Sequence, residues 1–413
     1  MHGLMLDFAL TTVHLFERAE RLWSASEVVT ASAAGSHRCT YGEWTARARR
    51  LAGVLDVLGI SDSGRVATFA WNDYRHLELS LAVPSAGRVL HPLDIDADPA
   101  QLAQVIRHAE DEAIFVSRSL LARLWPLVDA PELRKVWHLV VMDDGAGDVP
   151  DDNRILDYED LLLEAEPVEL RVSDEHRAAG ISYTADGGGQ ARGVVRSHRS
   201  TVLQSLALMG ADTLGVSRRD TLLAAGPLAR GEAWSLLNAG VAAGSRLVLP
   251  GVDPSPARLV ELIEQERVTL AAGAAGTWAG LLLPAAGHDL SALRGVVAAG
   301  PVAPDTVEVV EAGLGAPVLS VWGTGETSGV AAVHDLPLPL VEARVVAADT
   351  HRELPWDGET AGDLQLRGPW MAREYHEEHR GRAALTDDGW LRTGRRATVS
   401  PDGRIRLTPP DRR

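Results

Sequence analysis

The sequence predicts an α/β protein with two doubly wound mixed or parallel sheets, covering helices and a small β subdomain. The first observation is that short buried strands alternate with amphipathic helices over most of the chain. Such alternation is typical of parallel sheets covered by helices on both faces. The second observation is that the pattern changes after residue 341 to short strands separated by turns such as Asp402-Gly403. This change indicates a separate β subdomain.

Each element follows from its residue pattern. Residues 40–58 carry apolar side chains at helical spacing, which predicts one amphipathic helix. Short apolar runs predict strands over residues 65–69, 89–93, 113–116 and 136–142, and helices are predicted over 75–86 and 99–109. The alternation resumes at residue 181 and continues to about residue 333. We therefore predict subdomains at residues 1–176, 177–336 and 337–413, with the last boundary at a proline-containing segment.

Composition limits the partners and the compartment. The 413 residues carry a formal net charge of −17, whereas nucleic acids and anionic membranes select basic surfaces, so we predict no nucleic-acid partner. The longest uncharged run, residues 268–287, contains four glycines and a proline. We interpret it as a buried strand, a turn and a short helix, and predict no membrane span. Cys39 is the only cysteine, which excludes an intrachain disulfide and fits a cytoplasmic location.

A glycine-rich segment at residues 183–200 carries the most specific motif of the chain. Its sequence is YTADGGGQARGVVRSHRS. It resembles, without a gap, the phosphate-loop signature YTSGTTGxPKGVxxSH of the acyl-CoA synthetase, or adenylate-forming, superfamily. In that family the loop folds over the ATP phosphates with hydroxyl side chains, backbone N–H groups and a lysine. The positions that match are Tyr183, Thr184, Gly189, Gly193, Ser197 and His198.

The middle of this segment departs from the family pattern. Ala185 stands where the family has serine, Asp186 replaces a glycine, and residues 187–188 are glycines in place of two threonines. Lost hydroxyls weaken anion binding, and a carboxylate repels a triphosphate at close range. Arg192 replaces the lysine and can still contact an anion, because a guanidinium binds phosphate or carboxylate in a bidentate manner. We therefore predict weakened ATP binding.

The resemblance extends over nearly the whole chain and is most specific to medium- and long-chain fatty-acyl-CoA ligases. Residues 65–94 and 106–117 are similar to that branch's WNxYRHLE, HxLN and NHAEDRVxFVD segments. Residues 353–375 and 387–407 are similar to its GELxxRGPW and DGWLRTGDxAxxxPDGYI segments. The resemblance implies ATP, Mg²⁺ and CoA as cofactors. It implies an acyl or aromatic carboxylate, or its CoA or carrier-protein thioester, as the ligand.

The resemblance also assigns site residues by position. Glu326 matches a glutamate that helps to hold Mg²⁺, and the candidate catalytic residues are Glu326, Arg192 and Arg230. The candidate cofactor-binding residues are Thr184, Gly189, Gly193, Gly300, Trp322 and Gly323. The candidate substrate-pocket residues are Trp234, Thr277 and Trp278.

Three further replacements lie at family site positions. Gly325 replaces a threonine, and Arg395 replaces an aspartate that holds the ribose hydroxyls. A guanidinium has no acceptor atom and cannot take over that role. Arg230 replaces a histidine beside the carboxylate pocket. We predict that Arg230 is buried against an apolar cleft and needs a partner, which is either Glu232 or a ligand carboxylate or phosphate.

The sequence ends at Arg413, where relatives continue into a mobile C-terminal domain that brings the catalytic lysine of adenylation. We therefore expect that domain to be missing. Three interpretations of function stay open. The protein is a repurposed enzyme that uses the acyl cleft in a specialised pathway, or a pseudoenzyme that binds an acyl ligand or a ligase partner. In the third, it still forms acyl-adenylates and a partner protein supplies the missing domain.

Overall fold

The structure is a computed structural model that describes residues 3–32, 35–185, 191–300, 302–377 and 385–408. Within these ranges the helices are α1 (Thr12–Leu22), α2 (Tyr41–Val57), α3 (Tyr74–Ser85), α4 (Pro99–Ala109), α5 (Leu121–Leu124), α6 (Tyr158–Glu164), α7 (His198–Leu208), α8 (Gly231–Ala243), α9 (Pro256–Gln265), α10 (Ala275–Leu281) and α11 (Pro304–Leu314). A 3₁₀ turn that bears on the site spans Gly325–Thr327.

The strands of the first half are β1 (Glu27–Ser32), β2 (Gly35–Thr40), β3 (Arg65–Phe69), β4 (Val89–Pro92), β5 (Asp111–Ser117), β6 (His138–Met142), β7 (Ile155–Asp157), β8 (Ala178–Ala185) and β9 (Ala191–Ser197). Those of the second half are β10 (Thr221–Ala224), β11 (Arg246–Leu249), β12 (Leu270–Ala274), β13 (Gly295–Ala299), β14 (Val318–Trp322), β15 (Ala332–Val333), β16 (Leu336–Pro337), β17 (Glu342–Val346), β18 (Gly362–Arg367), β19 (Leu391–Val399) and β20 (Ile405–Leu407).

The described strands form three sheets. The first has the order β7-β6-β5-β3-β4-β8-β9 and is parallel except for the antiparallel pair β8 and β9. The second has the order β16-β15-β14-β13-β12-β10-β11-β1-β2, with a parallel centre and antiparallel strands at both edges. The third is the antiparallel sheet β17-β18-β19-β20. The predicted fold class, two mixed sheets with helices and a small β unit, is confirmed.

The sheets do not follow the chain in two consecutive halves. Strands β1 and β2 come from the first part of the chain but belong to the second sheet, where β1 pairs with β11. Strands β8 and β9, which follow residue 177, belong to the first sheet. The boundary predicted at residue 177 therefore falls directly before β8 and β9, which complete the first sheet. The division into subdomains stays a prediction.

Local signals explain why the helices begin where they do. Asp98 caps α4 by accepting a hydrogen bond from the backbone of Gln101, and the Gln101 side chain returns a bond to the cap. Pro99 follows at the first helical position, where its missing N–H costs nothing. Thr40 and Glu43 make the same reciprocal cap for α2. The bounds predicted for α4 are confirmed, and α2 begins one residue after its predicted start.

The uncharged segment 268–287 forms β12 and α10, as predicted, with most of β12 buried. The helix follows the strand directly, so the predicted intervening turn is wrong. None of the helices in the described ranges is long and apolar enough to cross a membrane.

Candidate functional site

Two adjoining cavities lie where elements of the two large sheets meet. The larger has a volume of about 470 Å³ and is bordered by the residues after β4, by α4, by β8 and β9, by the start of α8 and by the segment after β14. The smaller, of about 200 Å³, is lined mainly by alanine, glycine and proline. Arg230 borders both cavities. The candidate site is therefore a chamber with mixed polar and apolar walls and a smaller alcove, joined at Arg230.

Arg230 precedes the first turn of α8 as its N-cap residue. Its guanidinium lies 3.6 Å from a carboxylate oxygen of Asp96, and its side chain is 42% exposed. The prediction of a buried arginine is therefore wrong, because the loop before α8 leaves the side chain open to the cavities. The Glu232 side chain lies outside what the structure describes, so the predicted pair with Arg230 stays a prediction.

The glutamate predicted to hold Mg²⁺ is hydrogen-bonded to a tyrosine. The Tyr375 hydroxyl donates to a carboxylate oxygen of Glu326 at 2.7 Å. The Arg192 guanidinium lies over the same tyrosine ring, 5.0 Å from its centre. Burial and the Glu326 carboxylate raise the pKa of Tyr375 to about 12. Arg192, Tyr375 and Glu326 thus form one connected group, and the tyrosine stays a neutral donor at physiological pH.

Strand β8, which contains the start of the glycine-rich segment, packs against the turn that contains Glu326. A Cβ atom added at Gly325 would lie 2.6 Å from Cβ of Thr184 and 3.1 Å from its other two side-chain atoms. Gly323 approaches the backbone of Gly329 as closely, since a Cβ there would lie 2.3 Å from the Gly329 oxygen. The glycines at 323 and 325 are therefore required by close contacts in this structure.

A buried histidine–aspartate pair opens on the larger cavity. His91, at the end of β4, lines the cavity although its side chain is only 1% exposed. Its Nδ1 donates to a carboxylate oxygen of Asp111 at 2.8 Å, and Asp111 is fully buried. Burial raises the pKa of the Asp111 carboxyl. The ring of Tyr183 packs on His91 with 5.1 Å between ring centres.

The profile of AMP-binding enzymes matches residues 16–376. The chain belongs to the AMP-binding enzyme family. A long-chain-fatty-acid–CoA ligase from Thermus thermophilus is 38% identical, over 98% of this chain and 77% of that ligase. A 3-methylmercaptopropionyl-CoA ligase from Ruegeria lacuscaerulensis is 33% identical, over 98% of this chain and 79% of that ligase. The chain is thus a homologue of acyl-CoA ligases.

A solved structure shows the same fold. The N-terminal domain of FACL13 from Mycobacterium tuberculosis has a TM-score of 0.83 at 18% identity, and the match covers 97% of this chain and 99% of that domain. At this identity the likeness shows the fold. The two ligases named above are named for acids of very different length, so membership of the AMP-binding family does not define the ligand of this chain.

Two of the predicted cofactor residues, Thr184 and Gly323, line the larger cavity of this AMP-binding fold. Gly193 lies on β9, where its carbonyl accepts a hydrogen bond from the backbone of His376 at 2.8 Å. Trp322 is the last residue of β14 and is half-buried. The backbone N–H of Gly300 donates at 3.1 Å to the carbonyl of Val321, the residue before Trp322. Gly189 lies outside the described residues, as do the replacements at 186–188. Their cofactor roles stay predictions.

The predicted substrate-pocket residues have different environments. Thr277 lines the alcove. Trp234 is 6% exposed and packs near the Arg196 guanidinium at 5.9 Å. Trp278 is 1% exposed, and its indole donates to the Val297 carbonyl at 3.0 Å. Trp278 therefore supports the alcove from within the core and offers no surface to a ligand in this structure.

The site residues that were not predicted from the sequence include His91, Tyr375, Asp111 and Arg196. Tyr375 and Asp111 were included in the segments that resemble the family, but nothing in their spacing indicated which side chains they contact. Arg196 lies at the end of the glycine-rich segment, lines the larger cavity and donates to the Ser182 hydroxyl at 2.8 Å. A signal for Arg196 was available, because it is a charged residue directly before the Ser197-His198 pair of the motif.

Proposed function

We propose that this protein is an acyl-CoA ligase homologue that binds an acyl or carboxylate ligand in the two cavities and adenylates it slowly or not at all. In this proposal the protein uses the acyl cleft for a purpose other than adenylation, in a specialised pathway. The homology to ligases and the two cavities at Arg230 support the first part of the proposal. The second part depends on the groups that would have to hold ATP and Mg²⁺.

The observation that carries the proposal is the bond from Tyr375 to Glu326. A Mg²⁺ ion takes carboxylate oxygens and demands near-ideal octahedral geometry. One carboxylate oxygen of Glu326, the candidate Mg²⁺ ligand, already accepts a hydrogen bond in this structure. The guanidinium of Arg192, the candidate phosphate-binding residue, lies over the ring of the same tyrosine. Both groups therefore share Tyr375 in this structure, and the tyrosine competes with Mg²⁺ for one oxygen of Glu326.

A further residue also fits ATP poorly. Arg395 is exposed on β19 and presents only donors where the family has a ribose-binding carboxylate. The residues present therefore do not fit the nucleotide as the family binds it, and we derive no reaction step through ATP.

A second interpretation has one observation in its favour. Glu326 and Arg192 lie within reach of a single side chain, Tyr375, so one rotation would release both. Slow adenylation completed by a partner protein would then be possible. Stabilisation by no small molecule at all would instead favour a pseudoenzyme that binds a protein.

The test is calorimetric titration with Mg·ATP, with the Thermus thermophilus ligase as the positive control. We expect no binding tighter than about 1 mM, which corresponds to only about −4 kcal/mol. A thermal-shift screen of carboxylic acids in the absence of ATP tests the ligand part separately. A micromolar dissociation constant for Mg·ATP, or formation of acyl-CoA from acid, ATP and CoA, would refute the loss of adenylation.

A further inference from the structure

We infer that residues 371–377 form a strap that opens as a unit, and that the closed strap is an autoinhibitory contact, because it holds Tyr375 on Glu326 and beneath Arg192. This inference rests on the poor fit to Mg·ATP in the proposed function and adds a reversible cause for part of it. Four observations support it: a fixed end before the strap, weak anchors along it, a cavity beside it, and a buried nitrogen that the closed strap leaves without a partner.

The chain before the strap is fixed in the main core. Trp370 is buried there, and its indole donates to the Val330 carbonyl at 3.2 Å. The Trp370 carbonyl accepts a hydrogen bond from the Ser328 hydroxyl at 3.1 Å. The next residue, Met371, closes a turn by donating its N–H to the Gly368 carbonyl at 3.2 Å. The strap therefore begins at a turn whose near end cannot move, which is the position of a hinge.

The strap itself is joined to its neighbours by two backbone hydrogen bonds. The N–H of Ala372 donates to the Glu326 carbonyl at 2.7 Å, and the N–H of His376 donates to the Gly193 carbonyl at 2.8 Å. Arg373, which follows Ala372, is exposed. Segments with few buried contacts open at a lower free energy than the core around them. The strap has this character.

The apolar contacts of the strap form a cluster of their own. Ala372 and Tyr375 pack with Val194 of β9 and with Leu385, and this cluster is separate from the main core. Residues 369–377 also line a cavity of about 1060 Å³ that extends to Ser200 at the start of α7. A small apolar cluster holds the strap on one side, and open space borders it on another.

The closed strap also leaves one buried nitrogen unsatisfied. Nε2 of His376 is buried, and among the described residues it has no hydrogen-bond partner. The ring stands edge-on to His108, with 5.4 Å between ring centres. An unsatisfied buried polar atom raises the free energy of the state that buries it. Opening of the strap exposes this nitrogen to water, so the closed state is favoured less than its other contacts indicate.

Tyr375 connects the strap to the candidate site. Its side chain is buried in the cluster with Val194, its hydroxyl donates to Glu326, and the Arg192 guanidinium lies over its ring. A closely packed ring has no space to turn away, so the hydroxyl stays on Glu326 while the strap is closed. Opening removes the tyrosine from both charged groups. A ligand that takes both groups therefore binds in proportion to the open fraction.

Native-state hydrogen exchange of the full chain measures the opening directly. The amides of Ala372 and His376 should exchange through one shared opening, with protection factors that agree within about tenfold. Both should be at least about 100-fold less protected than the amide of Val296, which donates to the Pro317 carbonyl inside the second sheet. A smaller difference from Val296, or a larger disagreement between the two strap amides, would refute the strap.

Matched variants test what holds the strap closed. Val194→Ala removes two methyl groups from the small cluster and should raise the open fraction about tenfold. Val195→Ala, at the neighbouring valine, should leave the open fraction unchanged, because that side chain is 42% exposed. His376→Phe keeps a ring without the unsatisfied nitrogen and should lower the open fraction about fivefold or more. Unchanged exchange in Val194→Ala, or a His376→Phe strap that opens as often as in the wild type, would contradict the inference.

A disulfide and Mg·ATP calorimetry test the autoinhibition. A Cβ at Gly193 would lie 3.0 Å from the His376 Cβ, close to the Cβ separation of about 3.5–4.5 Å in disulfides. The double variant Gly193→Cys, His376→Cys can therefore lock the strap, and Cys39 is buried and does not interfere. The oxidised double variant should bind Mg·ATP more weakly than the same protein after reduction. Val194→Ala should bind Mg·ATP more tightly than the wild type, by the same factor as its gain in open fraction.

Equal Mg·ATP affinity in both of these pairs would refute the autoinhibition. The outcomes also separate this inference from the proposed function. Micromolar binding of Mg·ATP by the wild-type protein would refute the loss of adenylation and would leave the exchange measurements valid. Strap amides that are protected like the core would refute only the strap.

Discussion

Restoring the family's threonine at position 325 should destabilise the protein and should not improve nucleotide binding. A Cβ at Gly325 would lie 2.6 Å from the Thr184 Cβ and 3.1 Å from its Cγ2 and Oγ1. Non-bonded carbon atoms are most stable about 3.5–4.0 Å apart. The new side chain would therefore have to push β8 away from the Gly325–Thr327 turn by about 1 Å.

The size of the effect follows from this overlap. Thr184 is β-branched and has few alternative rotamers, so the strain falls on the backbone of β8. Overpacking of this kind typically costs about 1–3 kcal/mol of unfolding free energy. Gly325→Ala introduces the same Cβ atom and should therefore cause most of the loss of unfolding free energy that we expect for Gly325→Thr. In a Thr184→Gly background the contact partner is gone, and the loss caused by Gly325→Ala should shrink to less than about 0.5 kcal/mol.

The assay is urea denaturation of the four proteins of this double-mutant cycle, with Mg·ATP calorimetry on the same samples. Gly276→Ala is the matched control, because a Cβ at this helical position meets nothing within 4 Å. That variant should be neutral or slightly more stable. Equal losses from Gly325→Ala with and without Thr184 would refute the steric argument. A Gly325→Thr variant that is as stable as wild type and binds Mg·ATP tightly would refute it as well.

Three further predictions use other contacts. Tyr375→Phe should tighten Mg·ATP binding about three- to tenfold, because it frees Glu326; unchanged affinity in calorimetry would show that the tyrosine does not compete with Mg²⁺. Burial raises the pKa of the Glu78 carboxyl from 4.5 to about 7. Protonated Glu78 therefore stabilises the folded state fully below pH 4.5, and this contribution to the free energy of unfolding is lost as the pH rises through 7. Glu78→Gln should therefore gain up to about 3 kcal/mol relative to wild type between pH 5 and pH 8 in denaturant titrations; a constant difference would contradict this. Gly244→Ala should lower the melting temperature clearly, because Gly244 has φ +77° and its Cβ would lie 2.4 Å from the Trp23 ring; an unchanged melting temperature would contradict it.

Much of the fold could be predicted because its signals are local. Helix α4 was predicted to the residue, since a cap, a proline and a helical apolar pattern coincide within residues 98–109. The change to short strands after residue 341 was equally visible. The exchange of β1 and β2 with β8 and β9 between sheets was not predictable, because strand partners far apart in the chain leave no periodic signal.

In the site, as in the fold, features with a local sequence signal could be predicted, whereas contacts between residues far apart in the chain could not. The resemblance placed Arg230 beside the carboxylate pocket, and in the structure it borders both cavities. We predicted a buried side chain from the apolar neighbourhood, whereas the side chain is 42% exposed. The bond from Tyr375 to Glu326 joins residues 49 apart. His91 and Asp111 meet across β3, which lies between their strands in the sheet. Such contacts depend on tertiary packing, which one sequence does not reveal.

The pairing of β1 with β11 has a consequence for how the chain is made. The Arg246 side chain at the start of β11 donates to Glu27 of β1, 219 residues earlier. At about 5–20 residues per second of synthesis, β1 is complete about 10–45 s before its parallel partner β11 has been made. During that interval apolar residues of β1 such as Val28 and Val29, which are fully buried in the finished protein, are not covered by β11. The ribosome-bound chain therefore carries an unpaired strand edge while 219 of its 413 residues are added, and unpaired edges of this kind make a growing chain prone to aggregation.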